Sequence, residues 1–229
     1  MWVAAKRSGR RTALPLAINA ACFFGSFNAM AQSADLPKFN EFAAGDSWQF
    51  SMIIKNGENA LNLGERRYAV KEISAGKIMF DEDSPDYETL YLNGGNPAAD
   101  LTATDEQGRK GAWRLWPLAV GKTWRFVSIE YMPTLQPLIV IQNVVVAGYG
   151  DVKVPAGTFK AFRIEHRGTF CIGCMNVPRN KVIPSNVKLE KTANDTYWYS
   201  PEVRMDIKKI EVRGDREFTM ELSGFSRQK

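Results

Sequence analysis

The chain predicts an all-β protein: an antiparallel, strongly curved sheet, half-barrel or barrel, with one or two short helices. Three observations lead to that expectation. Short alternating or β-branched runs recur along the sequence, each closed by a turn signal. No window holds a 3.6-residue apolar period for longer than two turns. A weak internal repeat places Gly45, Trp48 and Phe50 in the same spacing as Gly121, Trp124 and Phe126, as two β-meanders in one sheet would.

The elements follow in order. "LPKFNEFAA" at 36–44 is a candidate short helix before the first strand, and part of 98–116 is another. "SWQFSMIIK" ends at Asn56-Gly57, a strong hairpin pair. "ERRYAVKEI" runs to Ser74-Ala75-Gly76, "KIMF" follows, and "YETLYL" reads as a strand stopped by Asn93-Gly94-Gly95. "TWRFVSIEYM" stops at Pro133, and "LIVIQNVVVAGYGDVKV" runs to Pro155-Ala156-Gly157. In "TFKAFRIEHRG", Phe159, Ala161 and Ile164 cannot share one face of a regular strand, so a bulge is expected at Phe162-Arg163. "TYWYS", "MDIKKIEV" and "EFTMELSGF" complete the set, the last two joined by Arg213-Gly214-Asp215.

Residues 1–31 read as a secretory signal peptide, and 32–229 as one β domain with repeats over about 42–115 and 117–225. The leader has a basic start with Lys6, Arg7, Arg10 and Arg11, a broken apolar stretch, and small residues at Ala29 and Ala31 before Gln32. A twin-arginine signal at Arg10-Arg11 and a lipidation site at Cys22 fit less well, because Gly9, Ala13 and Asn19 depart from those patterns. The expected location is periplasmic or secreted. The leader takes four of the 30 basic residues and none of the 25 acidic ones, so the remainder is within one charge of neutral. Phosphate-backbone binding needs a net basic footprint, so nucleic acid is not an expected partner. No later segment has the roughly 18–20 apolar residues of a transmembrane helix. The expected partners are a lipid, a glycan or an envelope protein.

"WPLAVGKTWRF", "VAGYGDVKVPAGTFKAFRIEHRG" and "TYWYSPEVRMDIKKIEV" resemble a recurrent series in exported bacterial β proteins of unassigned function. A large apolar residue precedes P-L-x-V-G-x-x-W in that series, and V-P-A-G-T-F and Y-W-Y-S-P-x-V-G follow. The resemblance covers 116–212 and implies an envelope protein with a curved antiparallel sheet, distantly like the half-barrels that carry lipoproteins across the periplasm. It implies no chemistry. Two features depart from the series: Arg204 stands in place of Gly, and an insert at about 170–193 separates "FRIEH" from "TYWYS". That insert is expected to be a solvated, locally basic loop.

Catalytic signatures are missing. The single histidine, His166, lies in a strand with no G-x-S-x-G elsewhere to supply a nucleophile. The acidic run of Asp81, Glu82, Asp83, Asp86 and Glu88 falls in one turn, whereas glycoside hydrolysis needs two carboxylates facing each other across a bond. "NGGN" at 93–96 lacks the Lys-Ser/Thr of a phosphate loop. Aromatic residues are the better ligand candidates: Trp113 and Trp116 in "GAWRLWPL", with Tyr197 and Tyr199 on one face of "TYWYS". These four are the expected ligand-binding residues. A binding or envelope-assembly module for an apolar or amphipathic ligand or protein partner is the leading expectation. A hydrolase using carboxylates not locatable in the sequence is one alternative, and a redox or copper-binding protein is another.

Cys171 and Cys174 carry that last alternative. A soft metal site would recruit them with Met175 and His166. A c-type haem is excluded because Met175 follows the second cysteine where His is required. A redox pair normally opens a helix, and no helical period follows Cys174. A disulfide across a turn fits best: turn residues i and i+3 lie within about 7 Å, and Gly173 occupies the third position that a type II turn reserves for glycine. No metal or other cofactor is expected. Thiol labelling of protein from an oxidising compartment should leave Cys171 and Cys174 unmodified until reductant is added. Labelling before reduction contradicts the disulfide.

Overall fold

Tight turns set the strand register. A computed structural model of the chain describes residues 33–81, 84–92, 94–95, 99–131, 136–177, 179–184, 186–189 and 191–228. The leader therefore lies outside the described residues, as do Glu82 and Asp83 of the acidic run. Left-handed backbone at Gly57 (φ +59°), at Ala75 and Gly76 (+48° and +73°) and at Gly214 (+60°) closes three of the hairpins.

In chain order the strands are β1 (Ser33–Ala34), β2 (Ser47–Asn56), β3 (Asn59–Ser74) and β4 (Lys77–Phe80), then helix α1 (Tyr87–Leu92). Short pieces β5 (Ala99–Asp100), β6 (Thr104–Asp105) and β7 (Leu118–Ala119) precede β8 (Thr123–Tyr131), β9 (Pro137–Val154) and β10 (Gly157–Ile172). Last come β11 (Val182–Ile183), β12 (Lys191–Ser200), β13 (Met205–Arg213) and β14 (Arg216–Ser226). Ten strands form one sheet in the order β4-β3-β2-β14-β13-β12-β10-β9-β8-β5. Every pairing in it is antiparallel. The expected all-β class is observed, but the sheet does not close into a barrel, because β4 and β5 are its two ends.

The sheet coils strongly. β10 and β14 are three strands apart, roughly 14 Å in a flat sheet, yet Phe159 and Phe225 stack with ring centroids 5.6 Å apart. The Ala156 N–H also donates to Leu222 O at 3.0 Å. The concave face buries the larger apolar cluster, including Trp48, Phe50, Phe126, Val144, Phe162, Ile164, Tyr197 and Leu222. A smaller cluster on the opposite face joins Ala103, Val127, Ile129, Ile139, Cys171 and Ile183.

The hairpins β2–β3 and β8–β9 share more than composition. Trp48 pairs with Tyr68 as Trp124 pairs with Val144, both at an offset of 76 residues. Gly45 N–H donates to Val70 O and Asp46 N–H to Ala43 O; Gly121 N–H donates to Val146 O and Lys122 N–H to Ala119 O, at the same offset. Gly45 and Gly121 both have positive φ, +93° and +86°. The extra length between Val146 and the β9–β10 turn includes a bulge, since Arg163 faces Gly148 while Ile164 faces Val146. The extra residue, Ala147, is on β9, and beside it on β10 Ala161 and Phe162 are both buried. The irregularity lies one residue beyond the expected position.

Three expectations need correction. "YETLYL" is helix α1, not a strand. Asp86 Oδ1 accepts the Thr89 N–H at 2.7 Å as an N-cap, and Tyr87 and Tyr91 stack at 4.8 Å. Their spacing of four fits both a strand face and a helix face, so six residues alone could not separate the two. No helix forms at 99–116, which folds as short strands and turns, and "LPKFNEFAA" yields only a 3₁₀ turn, Phe39–Glu41. The insert is not a solvated loop. β10 and β12 extend into it, β11 pairs in parallel with β6, Ile183 is fully buried, and Met175, Val177, Val187 and Leu189 pack on the smaller cluster.

Arg204 has left-handed backbone, φ +58°, which accounts physically for glycine at the equivalent place in the resembling series. Its side chain pairs with Glu41 at 3.3 Å and lies 5.9 Å over the Phe42 ring.

Gly121 isolates the backbone requirement, because a Cβ there would meet nothing within 4 Å. Gly121→Ala is expected to lower unfolding free energy by about 1–2 kcal/mol, and Gly121→Asn by less, as measured by urea denaturation.

Candidate functional site

Strand alternation carries a row of charges onto the concave face. Lys209, Glu211 and Arg213 of β13 stand opposite Tyr197, Asp195 and Ala193 of β12. Asp195 in turn faces His166 of β10, which faces Val144 of β9. Gln142, one step along β9, reaches two strands away: its Nε2 donates to Asp195 Oδ2 at 2.8 Å and to Ala193 O at 3.1 Å. Small side chains at Gly168 and Ala193, which lie between them in the register, leave that path open.

Each buried charge has a partner or a measurable cost. Arg213 Nη1 donates to Asp195 Oδ1. Tyr197 OH donates to Glu211 Oε1 at 2.8 Å, and Lys209 Nζ lies 2.8 Å from the same oxygen. Burial opposes the charge on Glu211, but Lys209 outweighs it and holds the carboxyl below its usual range. Burial likewise disfavours the charge on Lys209, and Glu211 overcomes it. Asp195 is fully buried, and burial raises its carboxyl despite Arg213. Glu130 of β8 makes no ion pair within 4 Å among the described residues. Burial raises its carboxyl, with Arg213 the leading opposing influence. Burial, reinforced by Arg114 and Arg213, lowers His166 far below its usual value, so the imidazole is neutral.

His166 is neither a surface residue nor a nucleophile's partner. Its ring is enclosed by Trp113 at 4.7 Å, Tyr197 at 5.1 Å, Phe126 at 5.8 Å and Trp124 at 6.4 Å. The four aromatic residues singled out from the sequence do converge on this face. Trp113 packs edge-on to Tyr197 at 4.7 Å, and Trp116 edge-on to Tyr199 at 5.2 Å. Arg114 joins the second pair, its guanidinium 5.7 Å over Trp116 and 5.3 Å over Tyr199. The same side chain holds both oxygens of Asp206 at 2.8 Å. Most of this quartet is core: Trp113 is 7% exposed, Tyr197 and Tyr199 1% each.

Two adjoining clefts remain open on the concave face. One, of about 230 Å³, is bounded by Trp113, Phe126, Glu130, Lys209, Glu211 and Arg213. The other, of about 140 Å³, has a mixed lining, with Phe50, Met52, Phe218 and Met220 beside Arg66 and Asp206. Gly94, Gly95 and Lys209 border both. Lys209 Nζ lies 5.7 Å from the ring centroids of both Tyr197 and Phe218. Gly94 lies flat on Trp113, where a Cβ would come within 2.3 Å of Cε2.

Cys171 and Cys174 are disulfide-bonded, with Cα atoms 5.8 Å apart and Gly173 at φ +62°. The soft-metal set does not assemble. Cys171 and Met175 belong to the smaller cluster, and His166 packs on the opposite face, five residues or roughly 16 Å away along the strand. Sequence reasoning missed Glu130, Asp195, Lys209, Glu211 and Arg213. The available signal was the alternation Lys-x-Glu-x-Arg in "KKIEVR", which puts three charges on one face of a strand between apolar neighbours.

No family model and no curated protein matches the sequence. Two solved structures resemble the chain, both described as putative. One is a lipoprotein from Parabacteroides distasonis, 12% identical, covering 85% of this chain and 100% of its own, with a TM-score of 0.45. The other is an exported protein with YmcC-like fold from Bacteroides fragilis, 8% identical, covering 86% and 100%, with a TM-score of 0.37. Neither likeness is strong enough to carry an activity to this chain. Among the described residues no helix is long and apolar enough to cross a membrane.

Because Glu130 binds its proton more tightly in the native state than in the unfolded chain, its contribution to stability is present at low pH. It is lost as pH rises through the raised native value. Glu130→Gln should therefore raise the melting temperature at pH 7, and the gain should shrink as pH falls toward the ordinary carboxylate value of 4.5. Thermal melts across that range check the sign.

Proposed function

We propose that this chain is an exported binding protein whose concave sheet face receives a small amphipathic molecule. One observation carries the reading: a cleft with an apolar wall and a charged cleft share a border at Lys209, so one ligand would place its apolar part beside Phe50, Met52 and Met220 and its polar part beside Glu130, Glu211 and Arg213. Pockets with largely apolar walls and a few convergent polar groups are the usual form of a small-molecule site. The basic leader and its small-residue cleavage pattern at Ala29-Met30-Ala31 support an exported location.

A second reading rests on a different observation. Glu130 is held above the carboxylate range and Glu211 below it, and both face the cleft beside Trp113. Carboxylates with divergent affinities for protons are the arrangement of an acid and base pair in glycoside hydrolysis. The Glu130 carboxyl, whose one hydrogen bond among the described residues is from Ser128 at 3.5 Å, serves a polar ligand group equally well, and Glu211 is already occupied by Lys209 and Tyr197. Binding is therefore the stronger reading.

Native mass spectrometry of protein purified from the exporting compartment is the test. A co-purified amphiphile that organic extraction removes is the expected result, and a clean apo mass in repeated preparations contradicts binding. Turnover of aryl glycosides by the wild type, abolished in both Glu130→Gln and Glu211→Gln, would establish the hydrolase instead.

A further inference from the structure

The opposite face of the sheet carries a second, chemically distinct recess. Arg125 of β8, Asn143 of β9 and Arg167 of β10 are consecutive cross-strand partners, so their side chains share one face. Arg109, from the loop after β6, closes the row and forms with them a shallow cleft of about 560 Å³, which also includes Thr123 and Val145. Three guanidinium groups thus surround one opening, and no carboxylate lines it.

The carboxylates nearby orient these groups. Asp105 is fully buried; Arg109 Nε donates to it at 2.6 Å, and Arg125 Nε lies 3.2 Å from the same oxygen as an ion pair without hydrogen-bond geometry. Engaging Nε leaves the outer nitrogens, the part of a guanidinium that grips an oxyanion in a bidentate fork. Those of Arg125 make no hydrogen bond among the described residues, and Arg109 spends one on Gln107 Oε1 at 2.6 Å. Glu165 is occupied on both oxygens, by Arg163 Nε and Arg167 Nη2, each at 3.2 Å. Four arginines therefore face two acids, one beneath the floor and one at the rim, an excess of two positive charges. Backbone N–H groups of Gln107 and Arg109 also bond Asp105, at 3.0 Å each, which fixes the loop that presents Arg109.

The geometry points to an oxyanion site: Arg109, Arg125 and Arg167 receive a phosphate-type dianion, with Asn143 and Thr123 as neutral hydrogen-bonding neighbours. The site is independent of the concave clefts, since it lies on the face of the smaller apolar cluster. A phosphate group can arrive free in solution or on a lipid headgroup, and the recognising chemistry is the same.

Isothermal titration with inorganic pyrophosphate, and co-sedimentation with phosphatidic acid vesicles against phosphatidylcholine vesicles, separate the two sources. The Arg167 side chain is 48% exposed and pairs only with Glu165, so Arg167→Gln should leave ligand-free melting unchanged, whereas Arg109→Gln also strips a partner from buried Asp105 and should lower it. Each is expected to weaken binding by about tenfold, the loss of one charge-assisted contact, and added salt should weaken it further. Saturable pyrophosphate binding assigns a soluble anion. Binding to the anionic vesicles alone assigns a headgroup. No saturable binding to either probe, or binding that both variants leave unchanged, overturns the site.

Discussion

A ten-stranded antiparallel sheet with one six-residue α-helix among the described residues has few other elements to cover its apolar face, so it covers part of that face with itself, and Phe42, Tyr87, Tyr91 and Trp113 cover the rest. The stacking of Phe159 on Phe225 across three strands is the direct trace of this constraint. So is the backbone bond from Ala156 to Leu222. Coiling needs strands that can bend, and the bulges supply it. Register slips occur between Met52 and Ile53, Arg163 and Ile164, Trp198 and Tyr199, and Leu222 and Gly224. Each extra residue increases local twist.

Self-coverage is incomplete where the concavity is deepest, and there the protein places charge. Asp195, Arg213, Glu211 and Lys209 lie among Tyr197, Phe126 and Trp113, where an isolated charge would cost several kcal/mol. The network offsets this by pairing nearly every member: Arg213 with Asp195, Lys209 with Glu211, Gln142 and Tyr197 as neutral donors. Glu130 is the exception, and its retained proton affinity is the physical expression of that. A fully paired network would be a structural device. Glu130 instead borders the open cleft with no ion pair among the described residues and a single long hydrogen bond from Ser128.

On the other face, the disulfide and the insert act together. Cys171 is buried with Ile139 and Ile183, and the turn it closes with Cys174 directs the chain back across β8 and β9. β11 of the insert pairs with β6, which holds Asp105 and, through it, Arg109 and Arg125. The two faces thus carry separate chemistry, one amphipathic and one cationic, because alternate residues of the same strands point to opposite sides.

Hairpins, the all-β class, the Gly45/Gly121 correspondence and the turn disulfide were legible in the sequence, because each depends on residues a few positions apart. Ala75-Gly76 and Cys171-Ile172-Gly173-Cys174 have few local conformations open to them, whatever the rest of the chain does. Helix α1 was illegible because a spacing of four serves both periods, although Asp86 offered the capping signal. The charged cleft was illegible for another reason. Gln142 meets Asp195 across 53 residues, and Arg114 meets Asp206 across 92. Only the register of a coiled sheet brings such residues together, and register is set by the collective burial of a whole face. Local sequence determined which segments became strands; which strands became neighbours, and which charges met, was decided by the sheet closing over its own core.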